Sequence, residues 1–133
     1  MTTPFQEFVF CDSEVASIAI KGGTLRVRFA AAHVTAPDVC SFAGRVRGYV
    51  EGVELRAGGS CPLLAPDAWV GRLADGRVRV AGTWRASLPL PVVLDGPLSI
   101  ELRFANRSEL HFTATSLSLA APSGAVFGES LAC

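Results

Sequence analysis

The stretch PLSIELRFANRSELHFTATSLSLA, from Pro97 to Ala120, decides the fold of this chain. Apolar and polar residues alternate up to the tetrapeptide Ala105–Ser108 and alternate again after it. Successive side chains of a β-strand point to opposite faces, so this pattern predicts two strands that each bury one face. Asn, Arg and Ser are residues that a tight reversal accepts. The stretch therefore predicts a β-hairpin.

The same alternation recurs along most of the chain, with turn signals between the runs. Thr24–Val34 has apolar residues on one face and arginines on the other, and Lys21–Gly23 before it predicts a hairpin turn because paired glycines accept positive φ. Val46–Leu55 alternates up to a turn or bulge in its middle. Asp75–Gly76 predicts another hairpin turn. Two prolines in Ser87–Gly96 predict an edge strand or a loop there.

Two more short strands are expected at Phe5–Phe10 and Val15–Ile20, which brings the total to about seven. No helical periodicity alternates with these strands, as a parallel α/β fold would require. A chain of 133 residues fits one domain. We therefore predict a single all-β domain over residues 1–133, an antiparallel β-sandwich or flattened barrel.

The amino-acid composition limits the kinds of molecule that this chain is expected to bind. Half of the residues are hydrophobic and the formal net charge is zero. Such a balance disfavours intrinsic disorder, and nothing in it steers the chain toward nucleic acid or an anionic membrane. We find no signal peptide and no transmembrane segment, so we expect a cytoplasmic protein.

The cysteines predict neither a metal site nor a disulfide framework. Four cysteines lie at wide, unequal spacings: Cys11, Cys40, Cys61 and Cys133. No Cys-x-x-Cys pair is present, as a zinc site would favour, and cytoplasmic thiols stay reduced. We expect no metal and no cofactor, and we expect Cys11 to be a core or rim residue.

Candidate catalytic residues are few. His33 and His111 are the only histidines, and either could act as a base or metal ligand beside Asp12 or Glu14. His111 falls on the polar face of its strand, where a solvated histidine is the simpler interpretation. No familiar catalytic motif is present. We therefore expect a protein that is not an enzyme.

Outward-facing arginines are the strongest candidates for a binding surface. Eleven of the twelve basic residues are arginines, and six of them form three Arg-x-Arg pairs: Arg26, Arg28, Arg45, Arg47, Arg77 and Arg79. If their strands were neighbours, the sheet would carry a basic stripe suited to an acidic protein partner or a nucleic-acid backbone. The alternative is a solvated face with Glu54 and Glu101 across from the arginines.

Three aromatic residues offer a different kind of site. Trp69, Trp84 and Tyr49 could form an aromatic platform for a sugar, or Trp69 and Trp84 could line a barrel or sandwich mouth that holds a small ligand. Trp84 lies in phase with Val78, so we expect it in the core. Tyr49 lies in phase with Arg47, so we expect it on the exposed face.

The stretch VFCDSEVASI, from Val9 to Ile18, is followed by a hairpin with a glycine turn. With its flanks, from Phe5 to Val34, it resembles a group of small bacterial all-β proteins that carry a hydrophobe-His-Asp-Ser motif. That group includes proteins similar to the immunity proteins that neutralise contact-delivered toxins. Cys11 stands where the group often has His, so no residue role is carried over.

The resemblance implies a bacterial, non-enzymatic protein that binds and covers a partner protein. We expect that partner to be another protein or a second copy of this chain, with no role for nucleic acid or membrane. A small-ligand-binding barrel or sandwich, or an uncharacterised structural domain, remains the alternative.

Overall fold

The computed structural model describes residues 6–37, 45–59, 70–124 and 127–129. These residues form ten β-strands. The strands are β1 (Gln6–Lys21), β2 (Thr24–Pro37), β3 (Arg45–Val50), β4 (Glu54–Gly58), β5 (Gly71–Val80), β6 (Thr83–Arg85), β7 (Ser87–Leu90), β8 (Val92–Phe104), β9 (Glu109–Ala120) and β10 (Phe127–Glu129).

Six of the strands close into an antiparallel barrel in the order β1-β2-β4-β9-β8-β5 and back to β1. Strands β3 and β10 extend the sheet from β2, β7 lies beside β1, and β6 pairs with β5. The all-β class and the barrel alternative are confirmed. The described residues form ten strands where the sequence predicted about seven. Three short strands of three or four residues were not predicted and the predicted strand Val46–Leu55 is divided in two, whereas β1 joins two predicted strands into one.

Apolar side chains fill the inside of the barrel. Twelve large side chains are less than 2% exposed: Phe8, Phe10, Phe29, Leu25, Leu55, Leu73, Leu88, Ile100, Leu102, Leu110, Leu117 and Leu119. Phe8 meets the rings of Phe10 and Phe29 edge-on, with centroids 4.9 and 5.1 Å away. Burying each such side chain stabilises the fold by about 1.5–3 kcal/mol.

The predicted hairpin is β8–β9. The apolar residues of Leu98–Phe104 are buried and those between them face outward, as the alternation required. Ala105 to Ser108 reverse the chain, and the Asn106 side chain accepts a hydrogen bond from the Ser108 amide at 2.9 Å. Arg107 takes a left-handed φ of 76° there.

The first hairpin turn also lies where the sequence placed it. Gly22 and Gly23 have φ of 58° and 77°, and Lys21 pairs with Thr24 across the turn. The strand before the turn differs from the prediction, because one continuous β1 replaces two short strands. A wide bulge interrupts it: Val9 pairs with His33, and the next paired residue is Glu14. The bulge bends β1, so one strand contacts β7, β2 and β5.

The prediction of a hairpin at Asp75–Gly76 is wrong, since both residues lie inside β5. Gly76 is needed there for a different reason: a Cβ on it would lie 2.8 Å from the Cβ of Phe10. The actual turn is Ala81–Gly82, where both residues have positive φ and connect β5 to β6. A dipeptide that suits a turn also suits a strand against which another side chain packs closely.

The segment Ser87–Gly96 is only partly the expected edge. Its first half is β7, which pairs with β1 on one side. Its second half opens β8, a barrel strand, where Val92 pairs with Leu119. Pro91 lies between the two strands, so it removes no hydrogen bond from the barrel.

Candidate binding surface on the outer wall of the barrel

The six predicted arginines do not form one stripe. Arg28 on β2 lies opposite Glu54 of β4, whereas Arg47 on β3 lies opposite Thr35, seven residues farther along β2. Arg45 belongs to the same β3 strand. In a closed barrel, the outward faces of different strands point in different directions. Strands β2 and β5 are not neighbours: β1 separates them on one side of the barrel, and β4, β9 and β8 separate them on the other. The arginines therefore face several directions.

The wall formed by β2 and β4 is a mixed-charge surface. Glu54 receives two ion pairs, from Arg26 at 3.1 Å and from Arg56 at 2.5 Å. Arg56 was not singled out from the sequence, although its place between buried Leu55 and Ala57 marks it as outward-facing. Exposed pairs of this kind contribute about 0.2–1 kcal/mol each. This wall fits the solvated-face alternative.

The opposite wall, formed by β5, β6 and β8, joins an arginine to a tryptophan. The Arg77 guanidinium carbon lies 4.0 Å from the Trp84 ring centroid. Its Nε donates a hydrogen bond to Glu101 of β8 at 2.8 Å. Trp84 also lies directly across from Arg79. We call Arg77, Arg79 and Trp84 the tryptophan surface.

The prediction that Trp84 belongs to the core is wrong, because its side chain is 36% exposed. The sequence interpretation carried the alternation of Val78 and Val80 straight through to position 84. The chain instead reverses at Ala81–Gly82, and in the resulting register Thr83 pairs with Val80 and Trp84 with Arg79. Directly opposed residues share a face, so Trp84 lies with Arg79 on the outside. Gly82 was the sequence signal that could have revealed this turn, because glycine readily accepts positive φ.

A second cluster of polar groups lies at the bulge of β1. Ser13 is fully buried, and its hydroxyl donates to the Val9 carbonyl at 2.7 Å and accepts from the His33 amide at 2.8 Å. His33 Nδ1 donates to the Cys11 carbonyl at 2.9 Å, and the imidazole lies against Tyr49 with ring centroids 5.8 Å apart. These bonds satisfy backbone groups that the bulge leaves out of the ladder.

The thiol of Cys11 is exposed, contrary to the expected core or rim position. Partial burial raises its pKa, and the nearby carboxylates of Asp12 and Asp75 raise it further, while Arg72 acts in the opposite direction. A raised pKa keeps the thiol protonated and weakens it as a nucleophile. Cys40, Cys61 and Cys133 lie outside the described residues.

The two histidines are not brought together. His33 is buried on β2, whereas His111 is exposed on β9 opposite Glu101, and β4 separates these two strands in the barrel order. Across the part of the chain that the structure describes, no three His, Cys, Asp or Glu side chains are grouped so that they could hold a metal ion.

The two candidate aromatic residues that the structure describes, Tyr49 and Trp84, do not line a common mouth. Trp84 is on the outer wall, and Trp69 lies outside the described ranges. Tyr49 is exposed on β3, as is Arg47, in agreement with the predicted face. Packed side chains fill the barrel interior. The depression beside β5, β8 and β9 opens on the outer wall.

No helix among residues 6–37, 45–59, 70–124 and 127–129 is long and apolar enough to cross a membrane. Comparisons with protein-family models, curated proteins and solved structures find no match to this chain.

Proposed function

We propose that this protein is a non-enzymatic binding module of the bacterial immunity type, which covers a partner protein through its tryptophan surface. One observation carries the proposal: the exposed Trp84 ring lies 4.0 Å from the Arg77 guanidinium, which is also paired with Glu101 at 2.8 Å. The proposal places the protein in the cytoplasm, where exposed Cys11 would remain a thiol.

The composition of this surface favours a protein as the partner. Tryptophan and arginine are the residues most enriched at the energetic centres of protein interfaces. Ordering a side chain on binding costs about 0.5–1.5 kcal/mol, and contacts already made by Trp84 and Arg77 reduce that cost. The tryptophan surface is therefore prepared for binding before a partner arrives.

The position of the surface favours a macromolecule over a small ligand. Trp84 lies on β6, a three-residue strand at the edge of the sheet with every residue exposed. A small-molecule site is typically concave and buries most of its ligand. An aromatic side chain on an outer edge strand instead offers contact area to another protein.

The charge of the surface favours an acidic partner. Arg77 and Arg79 supply two positive charges and Glu101 one negative charge, so the surface is basic although the whole chain is neutral. Complementary charge of this kind steers association and fixes orientation.

Affinity capture from a native lysate, followed by mass spectrometry, tests the proposal with three baits: the wild type, Trp84→Ala and Val93→Ala. Val93 is a matched control because its side chain is apolar and 73% exposed, and it lies outside the tryptophan surface. We expect a protein that the wild type and Val93→Ala both recover, and that Trp84→Ala binds at least about thirtyfold more weakly.

Recovery of the same proteins by all three baits would contradict the proposal, as would recovery of no specific protein by the wild type. Circular dichroism of each bait confirms that the variants are folded. The recovered protein is then assayed alone and with the bait, and we expect the bait to suppress its activity.

A further inference from the structure

A groove of about 580 Å³ adjoins the tryptophan surface on the outer wall. It contains one basic and one acidic side chain, Arg79 on β5 and Asp95 on β8, and its lining includes Ser99 on β8 and Thr113 and Thr115 on β9. Arg79 belongs to both the tryptophan surface and the groove, so a partner bound at Trp84 can extend along the same wall into the groove.

A β-bulge of β8 lies at one end of the groove, where Asp95 and Pro97 line it. Asp95 pairs with Ser116 and Leu98 pairs with Ala114, so two residues of β8 stand opposite one residue of β9. Gly96, inside the bulge, has a φ of 97°, which favours glycine. The extra residue bends β8 away from a regular ladder beside Asp95.

A row of polar side chains forms the floor at the other end. Arg79 pairs with Ser99, and Ser99 pairs with Thr113, so these three outward side chains lie on adjacent strands. Neighbouring strands are about 4.8 Å apart, which places the two hydroxyls within reach of a group bound to the guanidinium. Trp84 continues the same row on β6.

Among the residues that the structure describes, neither charged group of the groove has an ionic partner. Arg77 and Arg103, on the same wall, are paired with Glu101 and Glu109 at 2.8 and 3.3 Å. Arg79 and Asp95, by contrast, form no ion pair with any other residue that the structure describes. The groove therefore presents one positive and one negative group, both available to a ligand.

The spacing of these charges indicates the shape of the ligand. Asp95 and Ser99 are four residues apart on β8 and Arg79 lies opposite Ser99 on β5, so the backbone positions of the two charged residues are separated by roughly 10–13 Å along the strands and about 4.8 Å across them. In an extended peptide, residues four positions apart face the same way and span about 13 Å.

We propose that the groove binds an extended segment of the partner protein that carries an acidic residue and a basic residue four positions apart. The acidic side chain pairs with Arg79 and accepts hydrogen bonds from the neighbouring hydroxyls, and the basic side chain pairs with Asp95. This inference rests on the proposed function, because it specifies which part of the partner meets this wall.

Peptide titrations followed by NMR test the inference without a captured partner. The probes are Ac-Glu-Thr-Val-Thr-Lys-NH2, its reverse-order form Ac-Lys-Thr-Val-Thr-Glu-NH2 and the neutral control Ac-Gln-Thr-Val-Thr-Gln-NH2. We expect a charged probe to shift the amide signals of Ser99, Thr113 and Thr115, with little effect from the neutral peptide.

Two variants and one control locate the binding. Arg79→Gln and Asp95→Asn should each weaken binding of the charged probe about two- to fivefold, the range for an exposed ion pair. Arg26→Gln, on the opposite wall, should leave it unchanged. Equal shifts from the neutral peptide, or equal affinity in Arg79→Gln and the wild type, would overturn the inference.

The outcomes separate this inference from the proposed function. Suppose that a captured partner needs Trp84 but binds Arg79→Gln and Asp95→Asn as tightly as the wild type. That result would refute binding in the groove and would still support the proposed binding module. Charge-dependent peptide binding without any captured partner would support the groove and refute the module.

Discussion

Replacing Gly76 by Ala tests the closest approach between two strands of the barrel. Gly76 lies inside β5, and a Cβ added to it would lie 2.8 Å from the Cβ and 2.9 Å from the Cγ of Phe10. Both atoms sit at the base of a fully buried ring, so no rotation of the Phe10 side chain moves its Cβ away. The backbones of β5 and β1 must separate instead.

The expected cost combines two opposing effects. Forcing an extra methyl group into a packed core costs about 1–3 kcal/mol. Alanine also has less conformational freedom than glycine in the unfolded chain, which raises the free energy of unfolding by about 0.4–1 kcal/mol. We therefore expect Gly76→Ala to lower the free energy of unfolding by about 1–2 kcal/mol. For 133 residues this lowers Tm by about 4–7 °C.

Gly58→Ala provides a matched control. Gly58 is also a strand glycine without positive φ, and a Cβ on it would lie 2.5 Å from the Ser116 hydroxyl oxygen. That oxygen can move away by rotation about a single bond. We therefore expect a change of no more than about 0.5 kcal/mol.

Urea unfolding and calorimetry of both variants and the wild type measure these differences. If Gly76→Ala unfolds within about 0.5 kcal/mol of the wild type, or costs no more than Gly58→Ala, the contact between Phe10 and β5 is not as close as described. Close packing against Phe10 would then not be what requires glycine at position 76.

Three further outcomes follow from the polar contacts. Ser13→Ala should lower the free energy of unfolding by about 1–3 kcal/mol, because it leaves the buried amide of His33 without an acceptor; an unchanged urea midpoint would contradict this. Glu54→Gln should cost about 1 kcal/mol or less at low salt and nothing measurable in 1 M NaCl, since its ion pairs are exposed. In a variant that keeps Cys11 as its single cysteine, the rise of alkylation with pH should lie at higher pH than for an unperturbed thiol, because burial and the Asp12 carboxylate raise the thiol pKa. Asp12→Asn should move that profile to lower pH. If the profile does not move, the Asp12 carboxylate does not contribute to the raised pKa of Cys11.

Much of the local structure could be predicted from the residues alone. The alternation in Pro97–Ala120 and Thr24–Val34 identified strands and the faces that they bury, and Gly22–Gly23 identified a turn. Each of these depends on residues that are close together in the chain. Periodicity and turn preference are local properties, so a single sequence contains them.

The candidate binding surface could not be predicted in the same way. Trp84 lies on the outer face and not on the predicted inner face, because the chain reverses at Ala81–Gly82 and not at Asp75–Gly76. Counting alternate residues gives the wrong face once the turn is misplaced. The two dipeptides both suit a turn, and only the packing of Phe10 against β5 distinguishes them.

The sequence by itself determined an all-β chain, its principal hairpins and the outward position of its arginines. Only the tertiary structure decided that β1 meets β5 to close a barrel, which turned Arg26 and Arg77 to opposite walls. The same closure and turn placed Trp84 beside Arg79 and joined them to the outer face of the Pro97–Ala120 hairpin. The physical reason is that strand order depends on hydrogen bonds between distant segments, and alternation within each strand is the same whichever neighbour it acquires.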